Sequence, residues 1–429
     1  MTNSPNAAKQ HRRSFLKYLA ASPVLAAGTK EALAATAAEM QTRADDPYIW
    51  RPFDPNYLIE KPEDALDVFE MEPVAHKNVA PAHWGFMSTG ADGEGTYRAN
   101  RQDIAKFAIR SHRLREVKTV DTSRELFGHK WSFPFLTCPT GRNGMYHPDG
   151  EAGVGRATGR HNIPQGLATN ANFSITDVNK ARNGTPVLFQ LYQQSNWEIS
   201  KSLIARAERE GCKALLLTVD GLSARKDLQF FRGVRADTRL CATCHEVRPN
   251  NPKSPMLSSR STANFTEVPK ELWDQKGFEP DTMTWEYVKR VRDFTKMDIF
   301  VKGITDVDDA VQCAKLGYGV WVSNHGGRNE DTGRSSIACL ADIAPAVKGK
   351  VPIVVDSGFR RGMDIVKALA MGATMVGFGR PYLWGLGAFG EAGVDKVIQI
   401  MKAEVLAAMQ QVGAASVKDL RPELIIKAL

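Results

Sequence analysis

From Phe133 onward the chain alternates between short apolar runs and amphipathic stretches. The runs are "FPFLTCPT", "PQGLATN", "PVLFQLY", "ALLLTVD", "DIFVKG", "GVWVSNHGGR", "PIVVDSG" and "MVGFGRP". Among the stretches between them, "WEISKSLIARAEREG", "DVDDAVQCAKLG" and "GMDIVKALAMG" carry apolar residues at helical spacing and end on Gly. A strand followed by a helix and then by another strand has few ways to bury both faces of its sheet. Eight such units in succession predict an α/β fold, the (β/α)8 TIM barrel. The alternative is an open, doubly wound sheet. It is disfavoured because no run leads into a GxGxxG turn, and because polar residues stand at nearly every run's end instead of at one switch point. In a barrel those ends converge on one mouth, so His325, Arg328, Lys302, Asp220, Gln190, Tyr192, Thr140 and Asp356 are expected around a single pocket.

The rest of the 429 residues is organised around that barrel. Residues 131–429 form the barrel, with a polar excursion at about 228–283 after the fourth run in which no helical pattern stands out. Residues 35–130, rich in Pro, Trp and charge, form a helical and irregular N-terminal lead-in packed on the barrel. With 43% hydrophobic and 24% charged residues, the composition is that of a soluble globular chain with material for a sizeable core. No stretch supplies the ~18 apolar residues of a membrane-spanning helix.

The first 34 residues have a different character. Arg12 and Arg13, followed by Ser14, Phe15, Leu16 and Lys17 and a short, weakly apolar run, resemble a twin-arginine export signal. Ala32-Leu33-Ala34 offers a cleavage site, so residues 1–34 are expected to be removed and the mature protein to be periplasmic. Removal takes away five basic residues (Lys9, Arg12, Arg13, Lys17, Lys30) and one acidic one (Glu31), lowering the formal charge from +8 to +4. That surplus, without interleaved aromatic residues, does not point to nucleic acid. Because this route carries folded proteins, a tightly bound redox cofactor is a natural expectation.

The run "VSNHGGR" places a base, a cation and bare backbone at one strand exit. A histidine beside an arginine is costly to bury unless an anion answers the arginine, and a substrate carboxylate is a natural one. "DSGFRRG" and "GFGRP" close the seventh and eighth runs, where barrels commonly hold a phosphate on glycine N–H groups near a helix N-terminus. Arg360 and Arg380 add charge there, which selects a phosphorylated cofactor or ligand.

In these residues the chain resembles the flavin mononucleotide (FMN)-dependent α-hydroxy acid oxidases and dehydrogenases. The similarity runs from about Ser88 to the C-terminus through "STGADGE", "CPTGRNGMYHPDGE", "FQLY", "LTVD", "VKG", "SNHGGR", "DSGFRRG", "GRP" and "GEAGVDKV". It implies FMN as cofactor, a small L-2-hydroxy acid as substrate and the 2-oxo acid as product. His325 would be the base that takes a substrate proton while the α-carbon delivers a hydride equivalent to flavin N5; carbanion transfer is the alternative. Asp220 would stabilise the imidazolium, Arg328 would pair with the substrate carboxylate, and Tyr192 would contact the substrate oxygen. Lys302 would stand beside flavin N1 and O2. Gln190, Thr218 and the backbone of Pro139, Thr140 and Gly141 would contact the ring. Asp356 would contact the ribityl chain, and Ser357, Gly358, Arg360, Gly379 and Arg380 would surround the phosphate.

The chain also departs from the family pattern. Where the family has a substrate-binding Tyr before the "SGA" turn, this chain is read as offering Trp84. For the second carboxylate-binding Arg after the fourth strand it offers Arg225 or Lys226, and Ala168 replaces a serine near the flavin. Gly141 favours a dehydrogenase that passes electrons to a quinone or cytochrome over an oxygen-using oxidase. Two other functions stand beside this one. A flavin-barrel isomerase sharing only the phosphate site is disfavoured by His325 and Arg328, and a non-catalytic flavin-binding protein is kept open by the altered substrate positions.

"CATCH", Cys241 to His245, matches a c-type haem attachment pattern. A Cys241–Cys244 disulfide is the preferred reading for an exported chain; haem and zinc are the alternatives, and no metal site is expected. Cys138, Cys212, Cys313 and Cys339 are expected in the core, and a homo-oligomer is expected overall.

Overall fold

Each of the eight apolar runs becomes a strand in the computed structural model. In chain order these are β1 (Phe135–Thr137), β2 (Gly166–Ala168), β3 (Leu188–Tyr192), β4 (Ala214–Thr218), β5 (Asp298–Ile304), β6 (Gly319–Val322), β7 (Ile353–Val355) and β8 (Met375–Phe378). Neighbours pair in parallel in the order β1-β8-β7-β6-β5-β4-β3-β2. A parallel bridge between Thr137 and Gln165 joins the two remaining edges, completing a (β/α)8 barrel. The structure describes residues 58–221, 226–238, 263–269, 271–272 and 283–427. The export segment, the start of the lead-in, Arg225 and the Cys241–His245 motif lie outside the described residues.

The helices that follow the strands are α1 (Gly150–Arg160), α2 (Ile175–Ala181), α3 (Trp197–Arg209), α4 (Trp285–Phe294), α5 (Val307–Lys315), α6 (Ser336–Val347), α7 (Gly362–Ala370) and α8 (Arg380–Val412). Local chemistry sets their starts. The side chains of Ser174, Asn196, Thr284, Asp306 and Ser335 each accept a backbone N–H of the first turn of α2 to α6. α8 breaks at Phe389 and Gly390, whose dihedrals are not helical.

The inward face of each strand changes character as it climbs. Side chains two residues apart share a face. Leu188 is followed on its face by Gln190 and Tyr192, Leu216 by Thr218 and Asp220, Phe300 by Lys302, Trp321 by Ser323 and His325, and Val354 by Asp356. The lower members pack into one buried cluster with Leu136, Ala214 and Met375. The hairpin of Arg124–Leu126 and His129–Trp131 adds Phe127 and Trp131 to that cluster, closing the barrel floor. Phe127 lies 4.9 Å from Phe300, ring centre to ring centre. Polar chemistry is thereby confined to the mouth.

The lead-in supplies helices at Met71–Asn78, Pro81–Ser88 and Gly95–Gln102, and a strand, Phe107–Ile109, that pairs antiparallel with Ile425–Lys427. The excursion after β4 opens with an amphipathic helix, Leu228–Ala236, at a place where the sequence showed no helical pattern. It packs on Pro81–Ser88, with Phe230 5.9 Å from Phe86. A helix of nine residues is marginal alone, and contact with the lead-in stabilises it.

Candidate active site

The strand exits meet in one cleft whose empty volume, including its open mouth, is about 1230 Å³. Pro139, Thr140, Gly141, Tyr192, Lys302, His325, Arg328, Asp356, Ser357, Gly358, Arg360, Gly379 and Arg380 all line it. Gln190, Thr218 and Asp220 stand just behind the lining. Gln190 donates to the Thr218 hydroxyl at 3.0 Å and accepts from the Thr169 N–H at 3.1 Å, which fixes its orientation.

His325 leaves β6 in a left-handed conformation, φ 56°. Its own N–H donates to Ser323 Oγ at 3.0 Å, and its ring Nδ1 lies 3.0 Å from Asp220 Oδ1. Burial lowers the His325 pKa below its ordinary value, while the Asp220 charge pulls the other way. Burial works to raise the Asp220 carboxyl, but the charges of His325 and Lys302 outweigh it and hold the carboxyl below its usual range. A neutral imidazole beside an ionised carboxylate results. The carboxylate holds the proton on Nδ1, leaving the Nε2 lone pair for the cleft.

Asp220 needs room to stand there. A side chain at Gly303 would put its Cβ 2.6 Å from the Asp220 Cβ, and Gly303 has φ 109°. The Gly that follows Lys302 in "VKG" is therefore a requirement of the carboxylate on the neighbouring strand.

Lys302 is 3% exposed and donates to Ser323 Oγ at 3.1 Å, with Asp356 Oδ2 at 3.7 Å. Burial alone would lower its pKa, but Asp356 and Asp220 overcome that and hold it well above the ordinary lysine value. Asp356 collects four donors besides: Trp321 Nε1 at 2.9 Å, Ser323 Oγ at 2.6 Å, Ser357 Oγ at 2.7 Å and the Cys138 thiol at 3.6 Å. Lys302 is a fixed cation held by a fully satisfied carboxylate. The four cysteines among the described residues are buried and unbridged, and Cys138 reaches the cleft wall as well as the core.

The phosphate end fits the expected FMN. Arg360 is 5% exposed, stacked 5.0 Å over Trp384 and bonded to the Phe359 carbonyl at 3.0 Å. Burial first, then the charges of Arg101 and Arg380, lower its pKa to about 10. A buried guanidinium whose strongest charged neighbours are cations calls for an anion, and Gly358 and Gly379 bring bare backbone to the same wall. Arg380 contributes charge there but directs its donors to the carbonyls of Met87 (3.1 Å), Thr89 (2.8 Å) and Gly326 (3.0 Å). It ties the lead-in to the His325 loop.

One expected substrate contact is corrected. Trp84 does not line the cleft; its ring stacks on His76, with centroids 4.7 Å apart. Residues two apart on a helix face different ways, and Phe86, from the same helix, takes the place in the cleft. Arg328 donates to the Phe86 carbonyl and lies 4.6 Å over its ring. Lys226 is tied through its backbone to Asp92, accepting from the Asp92 N–H at 2.9 Å and donating to Asp92 Oδ1 at 3.2 Å.

Several residues in and behind the cleft wall went unnoticed in the sequence. Ser323 joins Lys302, Asp356 and the His325 backbone, and was signalled by standing two residues before His325 on the same face. Asn324 forms a reciprocal pair with Asn100 of the lead-in, 2.8 Å in both directions. Arg142, Tyr146 and Asn170 also line the cleft, and nothing in their spacing marked them.

The comparisons agree with this geometry. The sequence profile of the FMN-dependent dehydrogenases matches residues 75–427. An L-lactate oxidase of Lysinibacillus sphaericus (strain C3-41) is 34% identical over 359 residues, which cover 83% of this chain and 92% of the oxidase. The L-lactate dehydrogenase (cytochrome) of Wickerhamomyces anomalus is 31% identical, over 84% of this chain and 61% of that protein. Crystal structures of mandelate oxidase match with a TM-score of 0.73 at 30% identity, covering 85% of this chain and 99% of theirs.

Proposed function

The chain belongs to the FMN-dependent dehydrogenase family, and we propose that within it the protein oxidises an L-2-hydroxy acid to the 2-oxo acid as a periplasmic dehydrogenase. FMN is the cofactor and the reaction is an oxidation at CH–OH. The observation that carries the reading is the His325–Asp220 pair, set in one cleft with Arg328, Tyr192 and Lys302.

Bound FMN supplies the two-electron acceptor for the hydrogen leaving the α-carbon. The protein's residues do the remaining work. Arg328 pairs with the carboxylate and so points the α-carbon inward. Neutral His325 takes the hydroxyl proton on Nε2, and the Asp220 carboxylate stabilises the imidazolium that forms. Lys302, its charge favoured by Asp356 and Asp220, offsets negative charge that develops in the cleft. Phe86 and Met87 cover the mouth with apolar surface and limit water.

Gly141 supports the dehydrogenase reading, as does a relative whose named acceptor is a cytochrome. The acceptor in this reading is a quinone or a cytochrome. Arg12, Arg13 and the Ala32-Leu33-Ala34 site support export, and the mature chain is read as a homo-oligomer. The test is the anaerobic absorption spectrum of the purified protein with L- and D-2-hydroxy acids, followed by reoxidation with oxygen, a quinone analogue or a cytochrome. Bleaching by an L-acid with reoxidation faster by quinone or cytochrome than by oxygen is expected. Fast reoxidation by oxygen would make the protein an oxidase. Changing Arg12 and Arg13 to Lys should retain the unprocessed chain in the cytoplasm, and unchanged processing would refute export by this route.

A further inference from the structure

Backbone strain gathers at the exit of β6. His325, Gly326 and Gly327 are all left-handed, with φ of 56°, 73° and 71°. Glycine enters that region freely, whereas a residue with a side chain stays there only where its surroundings hold it. Ser357, which follows β7 and lines the same cleft, is left-handed as well, with φ 79°. Two residues with side chains thus stand in glycine-type conformations at one place, and a hydrogen bond joins their segments: the Gly326 N–H donates to Ser357 Oγ at 2.8 Å.

The peptide groups on either side of the His325 Cα are both held from Asp356. Ahead of it, the His325 N–H donates to Ser323 Oγ at 3.0 Å, and Ser323 donates to Asp356 Oδ1 at 2.6 Å. Behind it, the Gly326 N–H donates to Ser357 Oγ, and Ser357 donates to the same Oδ1 at 2.7 Å. The first bond restrains φ of His325 and the second its ψ, so together they set the direction in which the imidazole leaves the backbone. The Gly326 carbonyl is held too, accepting from Arg380 at 3.0 Å, and a Cβ at Gly326 would stand 2.8 Å from Arg380 Nη1. A hydroxyl has a single proton to give. That of Ser357 goes to Asp356 while its oxygen serves Gly326, so the side chain is turned to the His325 loop and has no proton left for a phosphate.

We propose that Ser357 is a positioning residue for His325: its hydroxyl links Asp356 to the Gly326 N–H and so holds the turn in which the His325 ring meets Asp220. This rests on His325 as the base, as read above, and adds what keeps the base in place. Without the hydroxyl the Gly326 peptide can rotate, His325 can leave its left-handed conformation, and the 3.0 Å contact of Nδ1 with Asp220 is lost. The strain at Ser357 thereby has a use. Glycine would suit that backbone better and would leave the turn unheld.

The test compares Ser357→Gly with Ser357→Ala in the FMN-loaded protein. Both lack the hydroxyl, but glycine suits φ 79° and alanine does not, so Ser357→Gly should melt at the higher temperature of the two. Both should leave the FMN dissociation constant unchanged. Both should slow the anaerobic reduction of FMN by an L-2-hydroxy acid about 10- to 100-fold, the scale of a base displaced by about 1 Å. Burial lowers the His325 pKa, as do the charges of Lys302 and Arg328, and Asp220 raises it. Losing the Asp220 contact should therefore move the His325 titration to lower pH in both variants. An NMR titration of ring-labelled histidine, with His325→Asn to assign the signal, reads this without turnover. Reduction rates that follow the melting temperatures, with Ser357→Gly close to the parent, would overturn the proposal. Weaker FMN binding with an unchanged reduction rate in the loaded protein would also overturn it and return the hydroxyl to the phosphate. If no 2-hydroxy acid reduces the parent, the activity reading falls and the His325 titration alone decides: a midpoint unshifted in both variants overturns the proposal.

Discussion

His325 Nδ1 and Asp220 Oδ1 are 3.0 Å apart, and they come from the ends of strands that are not neighbours in the barrel. Lys302, on the strand between them, contributes its charge to both. The Asp220 charge raises the His325 pKa against the lowering by burial. Asp220→Asn removes that upward pull, so the acid limb of the kcat/KM profile should move to lower pH. The rate should fall by about 10²- to 10⁴-fold, the cost of an unsupported imidazolium. A pH–rate profile of parent and variant checks both; an acid limb that moves to higher pH would contradict the assignment.

Gly303→Ala should resemble Asp220→Asn in activity without replacing a titratable group. Its Cβ would lie 2.6 Å from the Asp220 Cβ and 3.0 Å from the Asp220 N, at a backbone φ of 109°. The strain and the displaced carboxylate should cost about 2 kcal/mol or more of stability. Thermal denaturation and turnover of the variant measure the two effects separately.

Much of the site could be read before the fold was known, because a barrel brings strand ends together and each end carried its own signal. Lys302, His325, Asp356 and Arg360 were each found from the few residues around them. Trp84 was misplaced because facing on a short helix depends on how the helix is docked, and the docking partner, Leu228–Ala236, gave no periodic signal. Arg142 and Tyr146 were passed over because an arginine or tyrosine in a loop looks the same whether it faces water or a cleft. The Arg142 N–H to Asn170 carbonyl bond, between two loops, is one of the contacts that fix the wall they share.

Glu151 offers a test of the scaffold below this wall. It is buried at the start of α1 and accepts from the N–H groups of Asn143 (2.9 Å), Asn172 (3.1 Å) and Phe173 (3.3 Å). Burial raises its pKa from 4.5 to about 6, against the lowering effect of those bonds. The folded chain therefore holds the proton more tightly than the unfolded one. The contribution to stability, about 2 kcal/mol, is full below pH 4.5 and is lost as the pH rises through 6. Glu151→Gln abolishes this titration and turns an amide against backbone donors. It should destabilise the protein at pH 7 by about 1 to 3 kcal/mol, and the gap to the parent should widen as pH falls toward 4.5. Denaturant titrations at several pH values check the sign.

Asn100→Ala should leave FMN bound and weaken catalysis. Asn100 exchanges two hydrogen bonds with Asn324 and accepts from the Ser336 N–H at 3.1 Å, while Asn324 Oδ1 accepts from the Gly327 N–H at 3.0 Å. Removing one amide leaves buried partners unmatched at a cost of about 1 to 3 kcal/mol. The loop that carries His325 and Arg328 should loosen. A lower kcat with unchanged flavin content is the expected outcome, and normal kcat would show that Asn324 holds the loop alone.

That amide pair also sets a schedule. Asn100 and Asn324 are separated by 224 positions along the chain. At a synthesis rate of about 5 to 20 residues per second, Asn100 leaves the ribosome roughly 10 to 45 s before the residue it must meet. Through that interval the lead-in has no catalytic loop to grip, and the cleft has neither its base nor its carboxylate anchor. The reaction centre is therefore among the later parts of the molecule to come into being, assembled when an early-made helix closes on the loop that leaves the sixth strand.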